Sequence, residues 1–130
     1  MTGRHTFSKE ERLTNKKIID GLFGSVSHVK QFPLRLNILQ VKEKDWSFPA
    51  KVVLITSKRN FKKEVDRNYQ KRVLRELYRV RKSKLYEHMG KHHYALALIY
   101  VGNQKHSFID LQKAMDDLML KAIEYFETDA

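Results

Sequence analysis

Twelve lysines and arginines crowd the stretch from Lys58 to Lys84, with Glu64, Asp66 and Glu76 as its only acids. That stretch carries nine of the chain's eleven net positive charges. Over 66–84 the apolar residues recur at helical spacing, which predicts one long helix. At about 100° per residue, Arg67, Asn68, Lys71, Arg72, Arg75, Arg79 and Lys82 share an arc of roughly 140°. Val73, Leu74, Leu77 and Val80 fall in a separate arc, interrupted by Gln70 and Arg81. One side is thus expected to face a core and the other to present a ridge of cations. Like charges three or four residues apart repel, and a structural helix relieves this with interleaved glutamates, of which only Glu76 is available here. Arginine presents a planar fork that matches phosphate with two hydrogen bonds and can stack on bases. The chemistry these residues suit is binding a polyanion, with nucleic acid foremost.

Other chemistries find less support. With no cysteine, disulfides, thiolate metal sites and cysteine nucleophiles are excluded. The six histidines are His5, His28, His88, His92, His93 and His106. The adjacent pair His92–His93 points to opposite faces of a strand, and no zinc-ligand spacing is present. The acids of the C-terminal third read as the solvent side of an amphipathic helix rather than as a converging carboxylate cluster. No catalytic residue is therefore assigned to this chain.

The elements that must hold the ridge follow from periodicity. Thr14 is placed to cap a short helix carrying Ile18, Ile19, Leu22 and Phe23, with Gly24 beyond its end. Phe32, Leu34, Leu36 and Ile38 alternate with Pro33, Arg35 and Asn37, a strand with one face in the core and one face free. Pro33 belongs at an edge or a strand start. The segment 45–49 reads as a hairpin connection to a strand over 51–56, which is apolar on both faces and so expected near the sheet centre. A second apolar strand spans 94–101. Ser107 and Asp110 form a capping box for a last helix with Phe108, Leu111, Met115, Leu118, Ala122 and Phe126 on one stripe. The expected class is an α+β sandwich. The 130 residues, 42% hydrophobic and 32% charged, suit a single polyanion-binding domain over 1–130, with 1–12 as a flexible arm. No apolar run approaches the roughly 20 residues of a membrane span, and no signal-peptide core opens the chain, so no membrane partner and a cytoplasmic location are expected.

The segment from Ser57 to Tyr78 closely resembles the signature of the bacterial ribonuclease P protein component. That family carries a basic pair after a strand and then Arg-Asn-Arg-x-x-Lys-Arg-x-x-Arg on the next helix. The matching residues are Lys58–Arg59, Arg67–Asn68, Lys71–Arg72 and Arg75, with Tyr69 where the family has its third arginine. Arg12–Leu13 with the first helix, the strand from Phe32 and the strand–helix C-terminus extend the resemblance over nearly the whole chain. It implies an α-β-β-β-α-β-α order with a left-handed β-α-β crossover, as in the second domain of a small-subunit ribosomal protein. The missing strand would lie near 25–29 or arise from a split at Phe32.

The resemblance also implies a function: assisting a catalytic RNA that removes the 5′ leader of precursor tRNA to give the mature 5′ end. The basic helix and the loop before it, with Lys58, Arg59, Lys62, Lys63, Arg67, Asn68, Lys71, Arg72, Arg75 and Arg79, would face the catalytic RNA. A cleft lined by Ile19, Phe23, Pro33, Arg35 and Asn37 would hold the leader. Family members often carry aromatics in that cleft, where Phe23 keeps one and Ile19 and Arg35 stand instead. Mg2+ is expected with the RNA subunit, with a metal near the arginine-rich helix whose ligands the sequence does not name, and no organic cofactor is expected. The competing reading is a non-catalytic RNA-binding module such as a ribosomal protein.

Overall fold

Alternating and continuous apolar runs build the sheet that carries everything else. In the computed structural model, which describes residues 9–24, 26–42, 46–56, 61–102 and 105–129, four strands form one sheet. They are β1 (Ser27–Gln31), β2 (Leu34–Val41), β3 (Ala50–Thr56) and β4 (His93–Tyr100), in spatial order β1-β2-β4-β3. The helices are α1 (Lys16–Gly21), α2 (Glu64–Arg79), α3 (Lys82–Glu87) and α4 (Phe108–Asp129). The α+β class and the expected element order are present, with the second strand hairpin-paired to β1 across the cis Phe32–Pro33 turn. Pro33 sits just before β2, where a residue without an N–H is tolerated.

Leu34, Leu36 and Ile38 of β2 and Leu96 and Leu98 of β4 face a core closed by α2, α3 and α4. The opposite face carries Ala95 and Ala97 of β4, small enough for Leu22 of the α1 turn to pack down with Leu13, Ile18 and Ile19. The two faces thus belong to different helices.

Several expectations require correction. The 45–49 segment does not make a hairpin, because β3 pairs in parallel with β4 rather than with β2. β3 is an edge strand despite being apolar on both faces. Its outer edge is covered by the N-terminal segment, where Arg12 bridges Val52 and the Leu13 N–H donates to the Val52 carbonyl at 2.9 Å. Within the arm expected over 1–12, residues 9–12 are docked, and Glu11 is fully buried. The N-cap of α1 is Asn15, whose side chain accepts from the Ile18 N–H, and not Thr14.

The single helix expected over 66–84 is two helices. Arg81 makes the break: its guanidinium donates to the Leu77 carbonyl at 3.0 Å, satisfying an orphan acceptor at the end of α2, and to Asp116 at 2.7 Å. The turn swings Lys82 inward, off the ridge, to a buried ion pair with Glu11. The Tyr86 hydroxyl donates to the same carboxylate at 2.7 Å, and the Tyr78 hydroxyl lies 3.4 Å from that of Tyr86. Burial pushes both phenols well above their ordinary pKa. Val80 is half exposed rather than core, whereas Tyr78 and Gln70 are buried. At α4 the Asp110 N–H donates to Ser107 as the capping box requires. Leu111, Met115, Leu118, Ala122 and Phe126 are buried, and Phe108 is exposed.

Candidate nucleic-acid interface

α2 forms where it does because Glu64 and Asp66 complement the positive end of its dipole. Arg67 completes the start, donating to the carbonyls of Phe61 at 2.9 Å and Lys62 at 3.0 Å. Val73, Leu74 and Leu77 are buried as expected, which turns the cationic arc outward. Arg72, Arg75 and Asn68 are exposed, as are Lys62 and Lys63 before and at the helix start, and Lys71 is half buried. Lys71, Arg72 and Arg75 have no carboxylate partner among the described residues. Arg79 differs: Glu76 receives its guanidinium through two hydrogen bonds, of 3.1 and 2.5 Å. That contact holds the Glu76 carboxyl below the usual carboxylate range and raises Arg79. Tyr69, in the place of the family arginine, is 51% exposed. Lys58 and Arg59 lie outside the described residues.

The cleft residues separate. Phe23 is 54% exposed and Arg35 half buried. Asn37 is not on a free face. It is buried, donating to the Leu22 carbonyl at 2.9 Å while accepting from Arg35 Nε at 2.9 Å, so it ties α1 to β2 and fixes the arginine. Pro33 is likewise buried. Ile19 is half buried in the cluster beneath α1. His28 and Lys30 were not expected here. They pair across the β1–β2 ladder with Asn37 and Arg35, and directly opposed residues share a face. Both are exposed, extending the positive side of Arg35. Only the strand pairing reveals them, since β1 has no alternating signature of its own.

The described residues hold no group of three or more His, Asp or Glu side chains placed to bind a metal ion, and no helix among them is long and apolar enough to cross a membrane.

A basic helix packed on one face of a mixed four-stranded sheet is what the ribonuclease P resemblance implies. The Ribonuclease P family model matches residues 7–123. The chain is 30% identical over 125 residues to the ribonuclease P protein component of Porphyromonas gingivalis, covering 93% of this chain and 90% of that one. The chain belongs to the ribonuclease P protein family. The component from Chlorobium phaeobacteroides is 32% identical over 134 aligned residues, covering 92% and 90%. The ribonuclease P protein of Staphylococcus aureus superposes with a TM-score of 0.65 at 17% identity, over 86% of this chain and 94% of that one. That of Thermotoga maritima gives 0.63 at 15% identity, over 85% and 96%. Both structural likenesses establish the fold. As a ribonuclease P protein, the chain is a subunit of an endoribonuclease whose other component is RNA.

Proposed function

We propose that this ribonuclease P protein docks on the catalytic RNA through the outer face of α2 and holds the 5′ leader of precursor tRNA between α1 and the face of β1 and β2. The observation that carries the proposal is the division of the two surfaces between opposite faces of one sheet. Lys71, Arg72 and Arg75 stand over the face closed by α2, α3 and α4, and Phe23 and Arg35 stand on the face closed by α1. Two RNAs can therefore be engaged at once without competing for the same charges. On the α2 side, arginine forks and lysine ammoniums meet phosphates and set register without reading sequence. On the α1 side, a single strand exposes bases, and an exposed aromatic ring offers each base a stacking surface worth about 1–3 kcal/mol. Arg35, held by Asn37, meets the backbone beside that ring. Mature tRNA has no leader and gains nothing there.

Bond cleavage itself belongs to the RNA in this reading. Mg2+ in this reading is held chiefly by RNA phosphates, which bring their own cations. The same reading places the protein in the cytoplasm with the tRNA precursors.

The test is affinity of the reconstituted holoenzyme for precursors with leaders of increasing length, measured beside mature tRNA. Phe23→Ala is expected to lower the precursor-over-mature ratio by about 5- to 150-fold per lost stacked base while leaving Tm unchanged, because the ring is largely exposed. A variant whose affinity still climbs with leader length as in the parent protein would overturn the cleft assignment.

A further inference from the structure

On the face of the sheet that α1 covers, β1 and β2 set two cations directly against each other. Lys30 is the cross-strand partner of Arg35, and it is exposed. Directly opposed side chains of an antiparallel pair stand about 4.5–5.5 Å apart at Cβ, where like charges destabilise the sheet. Neither side chain has a carboxylate partner among the described residues. We propose that Lys30 and Arg35 together clamp one phosphate of the precursor tRNA leader, which makes β1 a working part of the leader site. The inference rests on the reading of the α1 face as the leader surface and adds to it a binding residue from the outermost strand.

Three arguments support it. First, the two cations are held in place. Arg35 Nε donates to Asn37 at 2.9 Å, which fixes the guanidinium and leaves its two terminal nitrogens to meet an anion. The Lys30 carbonyl accepts from Lys121 Nζ at 2.8 Å, so α4 anchors β1 at the residue that opposes Arg35. Both strands are thus set before RNA arrives, and little freedom is lost on binding. Second, a neighbouring acid leaves the repulsion unrelieved. Glu124 of α4 lines a recess with Lys30 and Lys121 and pairs with neither. An anion between Lys30 and Arg35 turns that repulsion into attraction. Third, the pair stands at a useful distance from the exposed Phe23 ring. Asn37 donates to the Leu22 carbonyl, which places the next residue, Phe23, near the rung where His28 opposes Asn37. The Lys30–Arg35 rung is two residues along, roughly 7 Å at 3.3–3.4 Å per residue. One nucleotide of an extended single strand spans such a distance, so a base stacked on Phe23 brings a neighbouring phosphate to the clamp. Because α2 packs on the other face of the sheet, the phosphate is assigned to the leader rather than to the catalytic RNA.

The experiment measures affinity of the reconstituted holoenzyme for precursor and mature tRNA between about 50 and 200 mM monovalent salt, with Tm and affinity for the ribonuclease P RNA recorded for every variant. The double variant Lys30→Gln, Arg35→Gln is expected to lower the salt slope of the precursor-over-mature ratio by about 0.7, one single-strand phosphate, so that the change in that ratio between the two salts shrinks about 2.5-fold. Lys30→Gln alone loses part of that slope, and Lys30→Arg keeps it, because the clamp depends on charge. The Tm of Lys30→Gln should equal or exceed the parent's, since a like-charge opposition is removed. An uncharged methylphosphonate placed at successive leader linkages should weaken binding by the parent at one position and leave the double variant unaffected there. A slope loss of about 1.4 in the double variant would mean two separate phosphates and refute the shared clamp. A parent-like ratio and slope in Lys30→Gln, while Phe23→Ala lowers the ratio, would refute the clamp alone. If Phe23→Ala also binds as the parent does, the leader reading falls and the clamp with it. A loss seen equally with mature tRNA, or in affinity for the ribonuclease P RNA, would refute the assignment to the leader.

Discussion

Removing charge from α2 should separate residues that look alike in the sequence. Lys71, Arg72 and Arg75 have no carboxylate partner among the described residues, so each is available to displace counterions from RNA. Neutralising one phosphate contact less lowers the slope of log affinity against log salt by about 0.7 for single-stranded and 0.9 for duplex RNA. The triple variant Lys71→Ala, Arg72→Ala, Arg75→Ala should therefore lose about 2 to 2.7 units of slope. Between 100 and 400 mM salt, the change in affinity should shrink by about 20- to 40-fold relative to the parent. Arg67 and Arg79 behave differently because their guanidiniums are already engaged, by the Phe61 and Lys62 carbonyls and by Glu76. Arg67→Ala should mainly cost stability, about 1 kcal/mol or roughly 4 °C in Tm, through its lost hydrogen bonds to the loop. Filter binding or fluorescence anisotropy against the ribonuclease P RNA over a salt series reads the slopes, and thermal unfolding reads the rest. Equal slope losses in Arg67→Ala, Arg79→Ala, Arg72→Ala and Arg75→Ala would refute the division between committed and available cations.

Other outcomes follow from the packing. Leu74→Ala or Leu77→Ala should destabilise the fold by about 2–5 kcal/mol in denaturant titrations, since both side chains are buried between α2 and the sheet. Lys82→Ala leaves the Glu11 carboxylate buried without its cation and should cost about 3–5 kcal/mol, whereas Lys82→Met with Glu11→Leu should recover most of the loss. Asn37→Ala strands the Leu22 carbonyl, at about 1–3 kcal/mol, and should also weaken leader discrimination because Arg35 loses its anchor. Burial raises the phenols of Tyr78 and Tyr86, and pushes Tyr100 up to about 12. A pKa raised in the folded state gives stability that is complete below pH 10 and lost as the pH climbs toward the folded values. Ultraviolet titration should therefore show Tyr100 ionising well above pH 10, and Tyr78 and Tyr86 only as the protein unfolds.

Much of this arrangement is legible in the sequence because local periodicity reports which side of an element is buried. The alternation of Leu34, Leu36 and Ile38 and the helical spacing of Val73, Leu74 and Leu77 locate core faces correctly. Periodicity does not report which strands are neighbours. An apolar strand buried on both faces reads the same at the centre of a sheet as at an edge covered by another segment, which is why β3 looks central until Arg12 and Leu13 are seen along it. The break between α2 and α3 is hidden for a related reason. Lys82 continues the cationic arc on a helical wheel, and only its distant partner, Glu11, explains why it turns inward. Asn37 belongs by alternation to the open face of β2, yet the C-terminal carbonyl of α1 claims it. In each case the missing information is a contact between residues far apart in the chain. The basic helix needed none, since its charge and its apolar stripe lie within one element.

In the proposed function this chain assists a catalytic RNA rather than cutting RNA itself. Cleavage of precursor tRNA should be followed at limiting Mg2+ with the ribonuclease P RNA alone, with the protein alone after rigorous removal of RNA, and with both together. A mature 5′ end is expected only when both are present at low Mg2+, with the RNA alone recovering activity as Mg2+ is raised. Cleavage by the RNA-free protein that a single substitution in the chain abolishes would contradict it, as would RNA activity at low Mg2+ that the protein leaves unchanged.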